Sequence, residues 1–130
     1  MRQTLIDYYQ GLGLRGYKVS EELPFDSNDL ALYTKNPKTV YVDQAQTTVQ
    51  AFIAVLNGSD VESENTTLRV YLATDAKRLP ADYDTVITSL RGGRNISDFE
   101  LYFQRDVNVT TSYDQDLMIT EMEFTFIRLI

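Results

Sequence analysis

Asp116–Ile130 reads DLMITEMEFTFIRLI, and its alternation decides the fold class. Met122, Phe124 and Phe126 interleave with Glu121, Glu123 and Thr125. In an extended chain successive side chains point to opposite faces, so one face here is apolar and the other polar. That is the pattern of a strand in a sheet with one covered face. Past Phe126 the alternation fails. Ile127 and Leu129 make the second face apolar as well, while the first continues to Ile130 with only Arg128 between. A frayed end is normally polar, so this one asks for a cover on its second face: either the first helix folding over it or another copy of the chain. Burying those two side chains is worth roughly 3–6 kcal/mol at ~1.5–3 each, a large share of a domain stability of ~5–15 kcal/mol.

Upstream, a period of two begins at Ser97. Phe99, Leu101, Phe103, Val107 and Val109 share one face, interrupted by Arg105, and Asp98, Glu100, Tyr102, Gln104, Asp106 and Asn108 share the other. The pattern predicts a strand of ~40 Å at ~3.3 Å per residue, long enough to expect a bend or bulge. A loop, TTSYDQD, then returns it into the closing strand. Further back, Tyr83, Val86, Ile87 and Leu90 lie at helical spacing, with Pro80 suited to a first turn and Asp82 and Asp84 near the positive N-terminal pole. TTLRVYLATD alternates Leu68, Val70 and Leu72 with Arg69, Tyr71 and Ala73 and reads as a strand. TTVQAFIAVLNG fits a strand entering a hairpin at Asn57-Gly58, although Val49, Phe52, Ile53 and Leu56 also fit a helix. KTVYVD is a strand with Val40 and Val42 on one side and Thr39, Tyr41 and Asp43 on the other. PFDSNDLALYTKNP reads as loop and GYKVSEEL as a short strand. Leu5, Tyr8, Tyr9 and Leu12 mark an N-terminal helix of about ten residues.

Together these elements predict one α+β domain over residues 1–130. Its sheet is mostly antiparallel, with four to six strands, two helices packed on it and two long C-terminal strands to close. At 130 residues a chain buries roughly two thirds of its unfolded surface and needs no disulfide or metal to fold. No apolar run approaches the ~20 residues of a membrane span, and no signal-peptide pattern opens the chain. Four N-x-Ser/Thr patterns (Asn57, Asn65, Asn95, Asn108) read as ordinary turn and strand composition.

The chemical inventory is narrow. The chain has no His and no Cys, which removes Ser-His-Asp and Cys-His nucleophiles and the common zinc ligand sets. The absence of Cys fits a reducing cytoplasm. Gly11, Gly13 and Gly16 in GLGLRG match a dinucleotide fingerprint literally, but they follow a helix instead of preceding one, so they read as a helix end with a left-handed cap. DSNDL (Asp26–Leu30) lacks the glycine and terminal glutamate of a calcium loop. The pairs Asp82/Asp84 and Asp114/Asp116 read as solvated charge, and RGGR (Arg91–Arg94) as a helix end with Gly92 beyond the last turn. No enzyme activity, cofactor or metal is expected. A net charge of −7, from 12 basic and 19 acidic residues, argues against a surface that grips nucleic-acid phosphates.

The order helix, strands, helix and two long antiparallel C-terminal strands resembles the tail terminator (tail-completion) proteins of long-tailed bacteriophages, of the lambda tail-terminator type. The stretches that carry the resemblance are MRQTLIDYYQGL, NPKTVYVDQAQT, TTLRVYLATDAKRLPADYDTVITSL, ISDFELYFQRDV and DLMITEMEFTFIRLI. The resemblance implies a structural virion protein of the tail and neck, formed in the host cytoplasm. It would be a homohexameric ring that ends polymerisation of the tail tube protein and meets the head-tail connector protein. DNA would pass through the lumen without sequence-specific binding, and an acidic lumen would not retain it. Another head-tail joining or tail tube component, or a small acidic cytoplasmic protein-binding domain, fits the same composition. From the pattern itself, Ile127 and Leu129 are candidates for subunit packing. Arg91 and Arg94 are candidate exposed charges for a neighbour's carboxylates.

Overall fold

The computed structural model describes residues 1–20, 37–53, 60–114 and 116–130. The loop expected over Pro24–Pro37, apart from Pro37 itself, the weighed calcium-loop motif DSNDL and the Asn57-Gly58 turn lie outside the described residues. The elements are α1 (Arg2–Gly11), β1 (Lys18–Ser20), β2 (Thr39–Val42), β3 (Gln46–Ile53), β4 (Asp60–Asp75), α2 (Tyr83–Arg91), two short 3-10 turns (Gly92–Asn95 and Ser97–Phe99), β5 (Gln104–Asp114) and β6 (Leu117–Leu129). The fold is α+β, with a six-stranded, mostly antiparallel sheet ordered β1-β2-β4-β6-β5; β3 also pairs with β4, and among the described residues the one parallel pair is β1 with β2.

β6 lies between β4 and β5, and its alternation sets the core. Met122, Phe124 and Phe126 stand opposite Val70, Leu68 and Thr66 of β4, and Val109, Val107 and Arg105 of β5. With Val40, Val42 and Leu72 they line one face. Both helices pack on it through Leu5, Ile6 and Tyr9 of α1 and Val86, Ile87 and Leu90 of α2. Helix α1 therefore lies on the same side as α2 and is not the cover of the second face. Tyr9 is fully buried, and its hydroxyl donates to the Leu90 carbonyl at 2.8 Å, joining the helices through a satisfied polar group. Past Leu12, Gly13 and Gly16 take positive φ of 61° and 82°, the left-handed exit expected of the glycines. Helix α2 starts at Tyr83, later than Pro80, whose carbonyl accepts the Tyr83 N–H in the preceding turn.

The strand expected from Ser97 starts late and ends late. Residues Ser97–Phe99 form a 3-10 turn. Phe99 and Tyr102, three apart, both turn into the core against Phe126, with ring centroids at 4.8 and 5.5 Å. Leu101 and Phe103, placed by the period of two on the apolar face, are 78% and 66% exposed. A period near three won locally because it buries two aromatic rings on one side. The Phe103 N–H donates to Ile127 O at 2.9 Å, yet Gln104 is the residue paired with Ile127. Two residues face one, which is the expected bulge. Thr110–Asp114, expected as loop, continues β5 to its pairing with Leu117.

A second bulge shapes the other side. Val42 pairs with Val70 and Gln46 with Thr67, so three residues (43–45) face two, Leu68 and Arg69. The Asp43 N–H reaches Arg69 O at 2.9 Å, while Asp43 Oδ1 accepts the Gln44 N–H at 2.8 Å. The extra residue changes the parity of the strand. Even residues of β2 face the helices, whereas odd residues of β3 do. RGGR likewise continues beyond the helix end: Gly92–Asn95 forms a 3-10 turn that brings Gly93 against Leu5 and Tyr9.

Candidate assembly surface

The face away from the helices is a polar mosaic. Arg69 on β4 lies between Glu121 and Glu123 of β6, at 3.2 and 3.1 Å. These side chains are about one third exposed, so each pair contributes at most ~1 kcal/mol and mainly fixes the surface charge pattern. At one end of this face Tyr41 stacks on Tyr71, centroids 6.3 Å apart. At the other end the chain terminus is pinned but bare. The Ile130 N–H donates to Glu62 O at 3.0 Å, Ile127 is half-buried, and Leu129 and Ile130 are 59% and 58% exposed. Arg128 points to the helix side, bonded to Glu64 at 3.2 Å and 5.1 Å above the Tyr102 ring. The bond to Glu64 holds its guanidinium charged.

The four residues singled out from sequence fall into two places. Ile127 and Leu129 belong to the face away from the helices. Arg91 closes α2 and Arg94 sits in the following 3-10 turn, both exposed on the helical layer. They form two surfaces and no single site. Among the described residues no cluster of three or more acidic side chains is placed to hold a metal, and no helix is long and apolar enough to cross a membrane. A hollow of about 220 Å³ lies between Tyr9, Gln10, Gly13, Leu14, Tyr17 and Val19, smaller than the ~300 Å³ at which ligand pockets usually begin. Both of its phenols are already bonded, Tyr9 to the Leu90 carbonyl at 2.8 Å and Tyr17 to Asp82 at 3.0 Å.

The strand edges are the feature the sequence reading missed. Among the described residues β5 has β6 on one side only, and β3 has β4 on one side only. The bonds Ile130 N–H to Glu62 O and Asp43 N–H to Arg69 O fix the alternation: even residues of β4 bond β6, and odd ones bond β2 and β3. Carried across the ladders, this turns the backbone groups of Val107, Val109, Thr111 and Tyr113 outward from β5, and those of Thr47, Val49 and Ala51 outward from β3. Val107–Tyr113 and Gln46–Ile53 contain no charge, proline or glycine, the usual guards of an open edge. That uncharged, β-branched composition was the signal available in the sequence.

Burial raises several phenols. Tyr9 is held well above its ordinary range, Tyr17 is pushed up to about 12 by burial and then by Asp82, and Tyr41, Tyr71 and Tyr102 are raised mainly by burial. A tyrosine loses its proton near pH ~10 in the unfolded chain. A raised folded value means the native state holds that proton longer, so this stabilisation is complete below pH ~10 and is lost as pH rises through the folded values. Stability is therefore expected to fall between pH ~10 and about 12, with tyrosinate absorbance and loss of circular dichroism rising together. Tyr17→Phe should move the onset, and ionisation of all tyrosines well before unfolding would contradict the assignment.

No protein-family model matches the chain, and no curated protein matches it either.

Proposed function

We propose that the chain is a structural assembly protein that caps the tail tube of a long-tailed phage as a ring of identical copies, ending tube growth and forming the joint to the head connector. The reading rests on the family resemblance. The observation that carries it is the bare apolar end of β6, where the Ile130 N–H is bonded to Glu62 O yet Leu129 and Ile130 remain more than half exposed. A contiguous apolar patch on a surface marks a place where another chain sits, and Ile127 and Leu129 lie together on one face of β6. In this reading Ile127 and Leu129 pack against a neighbour, and Arg91 and Arg94 meet carboxylates.

The test is addition of the purified chain to growing tail tubes, with lengths read by electron microscopy. A terminator halts growth and is found as a ring at the tube end. A tube subunit lengthens the tubes, and a cellular binding domain leaves them unchanged. Either of those outcomes overturns the proposal. Leu129→Asp should weaken capping at least tenfold in the concentration needed, with no loss of fold.

A further inference from the structure

The open edges of β5 and β3 are complementary to each other. We propose that neighbouring copies join by antiparallel pairing of β5 of one copy with β3 of the next, so that the sheets run on as one around the ring; this rests on the ring reading above.

Four features of the edges support the pairing. The first is direction: β4 runs antiparallel to both β3 and β6, and β6 antiparallel to β5, so β5 meets a neighbouring β3 antiparallel when the copies are related by rotation. The second is parity. The outward-bonding residues of β5 and of β3 are both odd, and both sets face the helix side, so the joined sheet keeps every helical layer on one side. Without the extra residue at 43–45, β3 would keep the parity of β2.

The third is side-chain fit. Pairing the middles of the two strands places Val109 opposite Val49, which are 37% and 54% exposed in the single chain. It also places Thr111 opposite Thr47, Thr110 opposite Thr48, and Asn108 opposite Gln50, with no like charges facing each other. The fourth is stagger. A line across the sheet from Val109 passes Met122 and Val70 and arrives at Val42, short of β3. Meeting Val49 instead displaces each copy by roughly 20 Å along the strands at ~3.3 Å per residue. Four strands at ~4.8 Å span roughly 19 Å, so the displacement corresponds to a strand tilt of about 45°, within the range of closed barrels. Two different edges make a head-to-tail contact, which does not stop at a pair and gives a ring where the rotation between copies closes.

The experiment exploits the absence of cysteine from the chain. Thr48 and Thr110 are exposed and stand on opposite edges of one copy, too far apart to bridge within it. In the double variant Thr48→Cys/Thr110→Cys they should form disulfides between copies under mild oxidation, giving a ladder of covalent multimers on a denaturing gel, while each single variant gives none. Thr111→Pro removes an N–H that faces outward and spares the ladder to β6. It should keep the circular dichroism of the parent and reduce the mass in light scattering to the 14.9 kDa of one copy. Multimers without a disulfide ladder would overturn the edge pairing and leave the ring. A chain that stays single at ~1 mM and on its tube would overturn both.

Discussion

Phe126→Ala is expected to lower the stability of the domain by ~3–5 kcal/mol, the range for removing a fully buried aromatic ring. Phe126 is 0% exposed. It lies 4.8 Å from the Phe99 ring, 5.5 Å from Tyr102 and 6.1 Å from Phe124, all centroid to centroid. Its removal opens a void between the sheet and the rings of Phe99 and Tyr102. Aromatic pair terms of ~0.5–1.5 kcal/mol are lost as well. Against a total of ~5–15 kcal/mol, the variant should sit near the edge of folding. Urea denaturation checks it: the midpoint should drop sharply at unchanged slope. A loss below ~1.5 kcal/mol would show that Phe99 and Tyr102 do not depend on this ring.

Gly93→Ala is the second large effect, at ~1–3 kcal/mol for overpacking a tight core. A methyl there would lie 2.5 Å from Leu5 Cδ1 and 3.3 Å from the Tyr9 hydroxyl oxygen. Leu5 and Tyr9 are both 0% exposed, so neither has room to retreat without lifting α1 from the sheet. The Tyr9 bond to the Leu90 carbonyl would be disturbed in the same step. Coupling identifies the cause. Leu5→Ala alone should cost ~2–5 kcal/mol. The double variant should be more stable than the sum of the two losses by at least ~1 kcal/mol, since the cavity accepts the new methyl. Strict additivity would place the strain elsewhere.

The two sites illustrate which parts of the fold the sequence discloses. Met122, Phe124 and Phe126, against Glu121 and Glu123, were readable because one face of β6 is covered and the other is not, which is the condition under which alternation appears. The helix spacings of α1 and α2 were readable for the same reason. The stretch from Ser97 to Phe103 alternates just as cleanly, and misleads. Its rings are buried by a turn of period near three, a choice made by Phe126 from 27 positions away, and no local pattern reports such a partner. β3 looked ambiguous because its side chains from Gln46 to Ala51 are exposed on both faces, so no burial imposed a pattern. The parity change at 43–45 is a property of pairing, visible only once β4 is beside it. Of the surface candidates, Ile127 and Leu129 were found because apolar residues broke an alternation. The open edges were missed because a backbone edge leaves no mark on side-chain periodicity, and only the runs Val107–Tyr113 and Gln46–Ile53, free of charge and proline, hinted at them.

The central position of β6 also orders the folding reaction in time. Its partners are distant in sequence: Asp75 meets Leu117 and Ser63 meets Leu129. Pairings of such separation are slow to form, since a long loop must close before any contact rewards it. Until residues 117–129 have left the ribosome, β4 and β5 have no common neighbour, and both present unsatisfied backbone to solvent. The nascent chain is therefore most vulnerable to aggregation just before synthesis of the one segment that cures it, and slower translation of that segment should lower the yield of native protein.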